Sequence, residues 1–117
     1  MSKSYYALGR LPKGQMNATE KDYAEYLEMQ KRNGDILDYR FEQVRFNLAS
    51  NTNYAPDFLV INKNMGVEFH EVKGRWEDDA RVKIKVAQRL NPWFIFVAVR
   101  KKTKKDGGGW AFELFSE

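Results

Sequence analysis

Three residues near the middle of the chain have the types and spacing for phosphate chemistry: Asp57, Glu71 and Lys73. Pro56-Asp57 is followed, after thirteen intervening residues, by Glu71-Val72-Lys73-Gly74. Alternate side chains of a strand point the same way, so on a strand Glu71 and Lys73 share a face while His70 and Val72 take the other. A carboxylate beside an ammonium at a strand end, with Gly74 leaving backbone room, can hold a divalent cation and a water next to a phosphate. If the strand carrying Asp57 pairs with this one, a second carboxylate joins the first. Oxygen ligands of this kind suit Mg²⁺ or Mn²⁺. Each piece alone has an ordinary explanation. A Glu-x-Lys on a strand is commonly a surface ion pair worth roughly 0–1 kcal/mol, and an Asp after a Pro is commonly a turn residue. Their order around an apolar hairpin is what makes the combination informative.

The elements that must position these residues are legible along the chain. Residues 1–16, with Gly9, Pro12 and Gly14, read as an N-terminal arm, and 17–117 as a single domain. The pattern predicts a helix over 17–33, with Asn17 as N-cap, Glu20 completing a capping box, a stripe of Tyr23, Ala24, Tyr26 and Leu27, and Gly34 as the stop. Residues 36–48 alternate like one strand bent in its middle, and Ser50–Asn53 read as a loop. Asp57–Ile61 and Val67–Lys73 are two short strands joined by the turn 62–66. Residues 77–90 alternate like a strand in part. Yet Glu77, Asp78 and Asp79 suit the positive end of a helix, and Ala80, Ile84 and Ala87 share one helical face, so a helix is expected. Trp93–Val99 reads as a strand covered on both faces, and Trp110–Phe115 as a last strand after the glycine turn 107–109. The order predicts an α/β (α+β) fold with one mixed sheet flanked by helices.

Composition narrows the chemistry. The 117 residues are the size of one domain. With no cysteine and one histidine, disulfides and thiol catalysis are excluded and a structural zinc site is close to impossible. The opening residues lack the apolar stretch of a signal peptide, and the chain suits a reducing cytoplasm. Of 20 Lys and Arg against 16 Asp and Glu, five lie in one run: Arg100, Lys101, Lys102, Lys104 and Lys105. Localised positive charge of this kind attracts a polyanion, nucleic acid being the usual one, although a solvated lysine loop has the same composition.

Pro56-Asp57 with Glu71-Val72-Lys73 resembles the signature of the PD-(D/E)XK nucleases. The likeness extends over Tyr54-Ala55-Pro56-Asp57-Phe58-Leu59, Gly66, and Glu71 through Arg81 with Trp76 and Asp79. In that stretch the chain is similar to the phage endonuclease I family of Holliday-junction resolvases and to short phage and prophage proteins. The resemblance implies a restriction-endonuclease-like core in the order αβββαβ plus a C-terminal strand. It also implies a Mg²⁺-dependent endodeoxyribonuclease, with one or two ions per site and Mn²⁺ as a substitute, acting on branched DNA such as four-way junctions as a homodimer in a bacterial cytoplasm. Asp57 and Glu71 would bind metal, aided by the main-chain carbonyl of Val72, and Lys73 would orient the attacking water. An acidic residue on the first helix completes the site in that family; Glu20 matches it, with Glu25 as the alternative and the capping box as Glu20's competing use. Arg81 matches the family pattern as a phosphate contact. Lys83, on the helix face of Ala80 and Ile84, is a further candidate, or a lysine laying its stem over apolar surface. Lys101, Lys102, Lys104 and Lys105 would hold the DNA backbone. Trp76 would stack on a base or be buried. Little sequence follows the last strand, unlike the endonuclease I pattern, which bears on junction binding more than on cleavage. The competing readings are a phage nuclease acting on non-junction DNA and a non-catalytic DNA-binding or phage assembly module.

Overall fold

The computed structural model describes residues 14–116. Most of the expected arm, residues 1–13, lies outside the described residues, and so does Glu117. Helix α1 (Ala18–Arg32) starts on the capping box: the Asn17 side chain accepts from the Glu20 N–H, and Glu20 Oε1 accepts from the Asn17 N–H, both at 2.8 Å. It ends at Asn33 and Gly34, whose φ of 81° a residue with a Cβ adopts only under strain. Strands β1 (Ile36–Phe41), β2 (Phe46–Ala49), β3 (Thr52–Tyr54), β4 (Phe58–Asn62) and β5 (Val67–Lys73) follow, then α2 (Asp78–Leu90), β6 (Ile95–Lys101) and β7 (Trp110–Phe115). The main sheet is mixed, in the order β1-β4-β5-β6-β7, with β5 parallel to β6 and the other pairs antiparallel. A parallel pair needs a crossover, and α2 supplies it.

The helices cover opposite faces of this sheet. Tyr23 and Leu27 of α1 pack with Phe58, Val60, Val72, Val97 and Val99. Ile84 and Ala87 of α2 pack with Tyr54, Phe69, Phe96, Ala98 and Phe115. The ambiguous segment 77–90 is thus a helix because Ile84, Ala87 and Gln88 at helical spacing are buried, while the strand-like alternation puts Val82 and Val86 in solvent.

One expected strand is two. The predicted element 36–48 breaks at Glu42, whose φ of 49° lies in the left-handed region. The chain then resumes as β2 and turns back through Ser50-Asn51 into β3, so the expected loop is the end of a two-stranded sheet. Asn51 takes φ 56° there, a left-handed conformation that asparagine tolerates, beside a register shift in the β2–β3 pairing.

Candidate active site at the open end of β5

The β4–β5 ladder ends at Phe58↔His70, while β5 runs on through Glu71, Val72 and Lys73 beside β6, ending at Lys73↔Arg100. For those three residues β5 has no strand on its β4 side. Asp57, the residue before β4, fills the gap with side-chain bonds. Its Oδ2 accepts from the Val72 N–H at 2.8 Å, and its own N–H donates to Glu71 Oε1 at 3.2 Å. Both N–H and C=O of one strand residue point to the same edge. The Val72 carbonyl therefore faces the same open edge as its N–H.

Asp57 and Glu71 are brought together as the sequence predicts, and both are buried, at 8% exposure. Glu71 Oε1 accepts a second hydrogen bond, from the Tyr54 hydroxyl at 3.1 Å, and Glu71 Oε2 lies 3.7 Å from Lys73 Nζ. Each carboxylate thus has one oxygen bound by protein N–H or O–H donors. Asp57 Oδ1 and Glu71 Oε2 accept no hydrogen bond among the described residues. Burial, followed by the negative charge of Glu71, pushes the Asp57 carboxyl from 3.8 up to about 9, against the pull of the Val72 N–H and Lys73. Burial raises Glu71 as well, opposed by Lys73, Tyr54 and the Asp57 amide. The pair is short of positive charge.

Glu20 forms the capping box, so that use of its carboxylate is realised. Its charge also reaches the pair and raises both Asp57 and Glu71. Glu25 is exposed and has no part in either effect. Among the described residues no group of three His, Asp or Glu side chains is arranged to cage a cation, and Glu20 Oε1 is taken up by the Asn17 N–H.

A cleft of about 330 Å³ opens beside the pair, between the β2–β3 hairpin and the start of α2. Glu71 and Lys73 line one wall, Asp79 and Lys83 another, and Asn53 and Tyr54 close it. Lys83 reaches across to the Asn53 carbonyl at 3.4 Å, so its ammonium is in the cleft rather than laid over apolar surface. Arg81 is elsewhere. Its guanidinium makes a two-pronged pair with Glu113 of β7 at 2.7 and 2.6 Å and lies over the Phe115 ring, in a groove between α2 and β7. Arg81 and Lys83 are two positions apart, about 200° around a helix, which sends the two cations to different sides of α2. Trp76 is half-buried, its Nε1–H donating to the Val99 carbonyl at 3.2 Å, which is the buried-aromatic alternative.

The basic run leaves the sheet at the end where Lys73 sits, since β5 and β6 are parallel and Arg100 is Lys73's partner. Lys101 is paired with Asp22 of α1. Lys102 is half-buried at the mouth of the β6–β7 hairpin, and Lys104 and Lys105 are exposed in its turn.

Two contributors escape a reading of the sequence alone. Tyr54 was visible only as part of a motif; burial, then Glu71 and Asp57, push its hydroxyl far upward, so it is a permanent donor. Glu42 donates its N–H to the Asp57 carbonyl at 2.8 Å, tying the strained end of β1 to the site. On the opposite face of β5, Glu68, held ionised by His70, accepts from His70 Nε2–H at 2.8 Å, which assigns His70 Nδ1 as acceptor for the Tyr23 hydroxyl at 2.6 Å. That relay joins α1, three residues after Glu20, to β5, one residue before Glu71.

Comparison of the chain with family models, with curated proteins and with solved structures gives no match.

Proposed function

We propose that this chain is a metal-dependent DNA endonuclease on a restriction-endonuclease-like core, with Asp57, Glu71 and Lys73 at its centre. The observation that carries the reading is the pair of buried carboxylates, each with one oxygen bound by protein donors and one left over, beside a lysine at the mouth of a cleft. The donor set fits a hard divalent cation. Mg²⁺ is commonly held by one or two carboxylates together with waters and substrate phosphate rather than by a closed protein cage. Asp57 and Glu71 would hold it, with the open-edge carbonyl of Val72, and Glu20 would add its negative charge from the helix start. When bound, such a cation lowers the pKa of an attacking water and takes up charge on the scissile phosphate.

The chain's own part follows from the geometry. Without a cation the acidic pair repels phosphate, so Lys73 and Lys83 must draw the backbone into the cleft. Lys73 then orients the water and faces the charge that develops on phosphorus. Lys104 and Lys105 extend the positive track without reading sequence. Branched DNA is the proposed substrate, which calls for a homodimer making two symmetric cuts, in the cytoplasm of a phage-infected bacterium.

The test is incubation with supercoiled plasmid, with linear duplex and with a synthetic four-way junction, in Mg²⁺ and in chelator. Cutting in Mg²⁺ alone is expected, abolished by Asp57→Ala and slowed on the order of a hundredfold by Lys73→Ala. Binding without cutting in Mg²⁺ and Mn²⁺ refutes the enzyme. Equal cutting of linear duplex and junction refutes the branched substrate.

A further inference from the structure

We propose that Tyr54 is a positioning residue of this site: its hydroxyl fixes the rotation of the Glu71 carboxylate, and the β2–β3 hairpin is the mount that holds its ring. The inference rests on the nuclease reading. Tyr54 is the last residue of β3, 7% exposed. Its ring stacks on Phe46 of β2 at 6.5 Å between centroids, and both rings join the Phe69 and Phe96 side of the core. A ring held on that surface leaves its hydroxyl no freedom except rotation of the O–H bond, and that bond ends on Glu71 Oε1 at 3.1 Å.

The consequence concerns the other oxygen. Two donors on Oε1, the Tyr54 hydroxyl and the Asp57 amide, leave Oε2 to the cleft, 3.7 Å from Lys73 Nζ. That separation is beyond a hydrogen bond, so carboxylate and ammonium are neighbours that have not closed on one another. Remove the hydroxyl and the carboxylate turns toward Lys73, which takes the ligand oxygen from the cation and the ammonium from the phosphate together. Groups that orient metal ligands in this way typically change metal affinity or activity by about 10–100-fold when replaced.

Tyr54→Phe removes the hydroxyl and keeps the ring. Calorimetric titration with Mn²⁺ in the absence of DNA is expected to show about tenfold or more weaker binding than wild type. The cleavage defect is expected at low Mg²⁺ and largely restored at high Mg²⁺, with KM for DNA unchanged. A damaged hairpin would instead slow cleavage at every Mg²⁺ concentration and lower Tm; that result overturns the inference. So does wild-type Mn²⁺ affinity in Tyr54→Phe. Asp57→Ala separates the two levels: if it binds Mn²⁺ as wild type does, the nuclease reading falls and this inference with it. If it loses Mn²⁺ while Tyr54→Phe does not, only the role of Tyr54 falls.

Discussion

At Glu20 two uses of one carboxylate meet. Its Oε1 closes the capping box on Asn17, which stabilises the start of α1, while its charge bears on Asp57 and Glu71. The two uses separate by chemistry, because glutamine caps as well as glutamate but carries no charge. Glu20→Gln is therefore expected to keep Tm within a degree or two and to raise the Mg²⁺ concentration needed for half-maximal cleavage. Asn17→Ala is expected to do the reverse, costing about 1 kcal/mol of stability by thermal unfolding and leaving the Mg²⁺ requirement in place. An unchanged Mg²⁺ requirement in Glu20→Gln would assign the residue to the cap alone. The same contrast shows why the sequence left Glu20 open: spacing along a helix identifies both partners but not which side of the helix faces the sheet's open end.

Among the elements, those with local chemistry were legible and those set by register were not. The capping box, Gly34 and the acidic first turn of α2 are signals carried by a few adjacent residues, and each element starts or stops there. The Asp57–Glu71 pairing was legible because an apolar hairpin with a Gly66 turn has only one sensible register. The break at Glu42 was not, since a glutamate at φ 49° has no compositional mark; it is held there by its bonds to Asp57 and Gly14. Without that break β2 merges into β1 and β3 reads as loop, and the partner of Tyr54 cannot be found. The pairing of Arg81 with Glu113 was hidden for a related reason: Glu113 lies on a strand whose register with α2 nothing local fixes. The elements thus divide the cations into two groups. In an Asp57→Ala background that binds without cutting, Lys104→Ala and Lys105→Ala are each expected to reduce the slope of log affinity against log salt by about one. Arg81→Ala is expected to leave that slope unchanged and to change Tm little, as loss of an exposed pair does. A slope that falls equally for Arg81 would put the groove between α2 and β7 on the DNA.

For the whole molecule, the acidic pair sets a stability that depends on protons and, on the proposed function, on cations as well. The folded state holds a proton on Asp57 up to about pH 9, while the unfolded chain releases it above 3.8. Between those values the folded state binds more protons, so its stability is fullest below 3.8 and declines as pH rises through about 9. Carboxylates lowered by partners, such as Asp38, Glu68 and Glu113, act in the opposite sense but titrate in the acid range. The decline between pH 5 and 9 therefore contains the contribution of the pair and none from these carboxylates. On the proposed function a divalent cation would take the same oxygens as the proton, so its effect would grow with pH. At a concentration a hundred times its Kd it adds about 2.7 kcal/mol, a Tm rise of roughly 10 °C for a domain of this size. Thermal unfolding across pH 5–9, with Mg²⁺ and with chelator, is expected to give two curves that diverge as pH rises. Asp57→Asn, which keeps an acceptor for the Val72 N–H and removes the charge, is expected to flatten the chelator curve, raise it above wild type at pH 8, and erase the gain from Mg²⁺. Parallel curves would mean that proton and cation do not compete, and that the pair is an ordinary hydrogen-bonded part of the core.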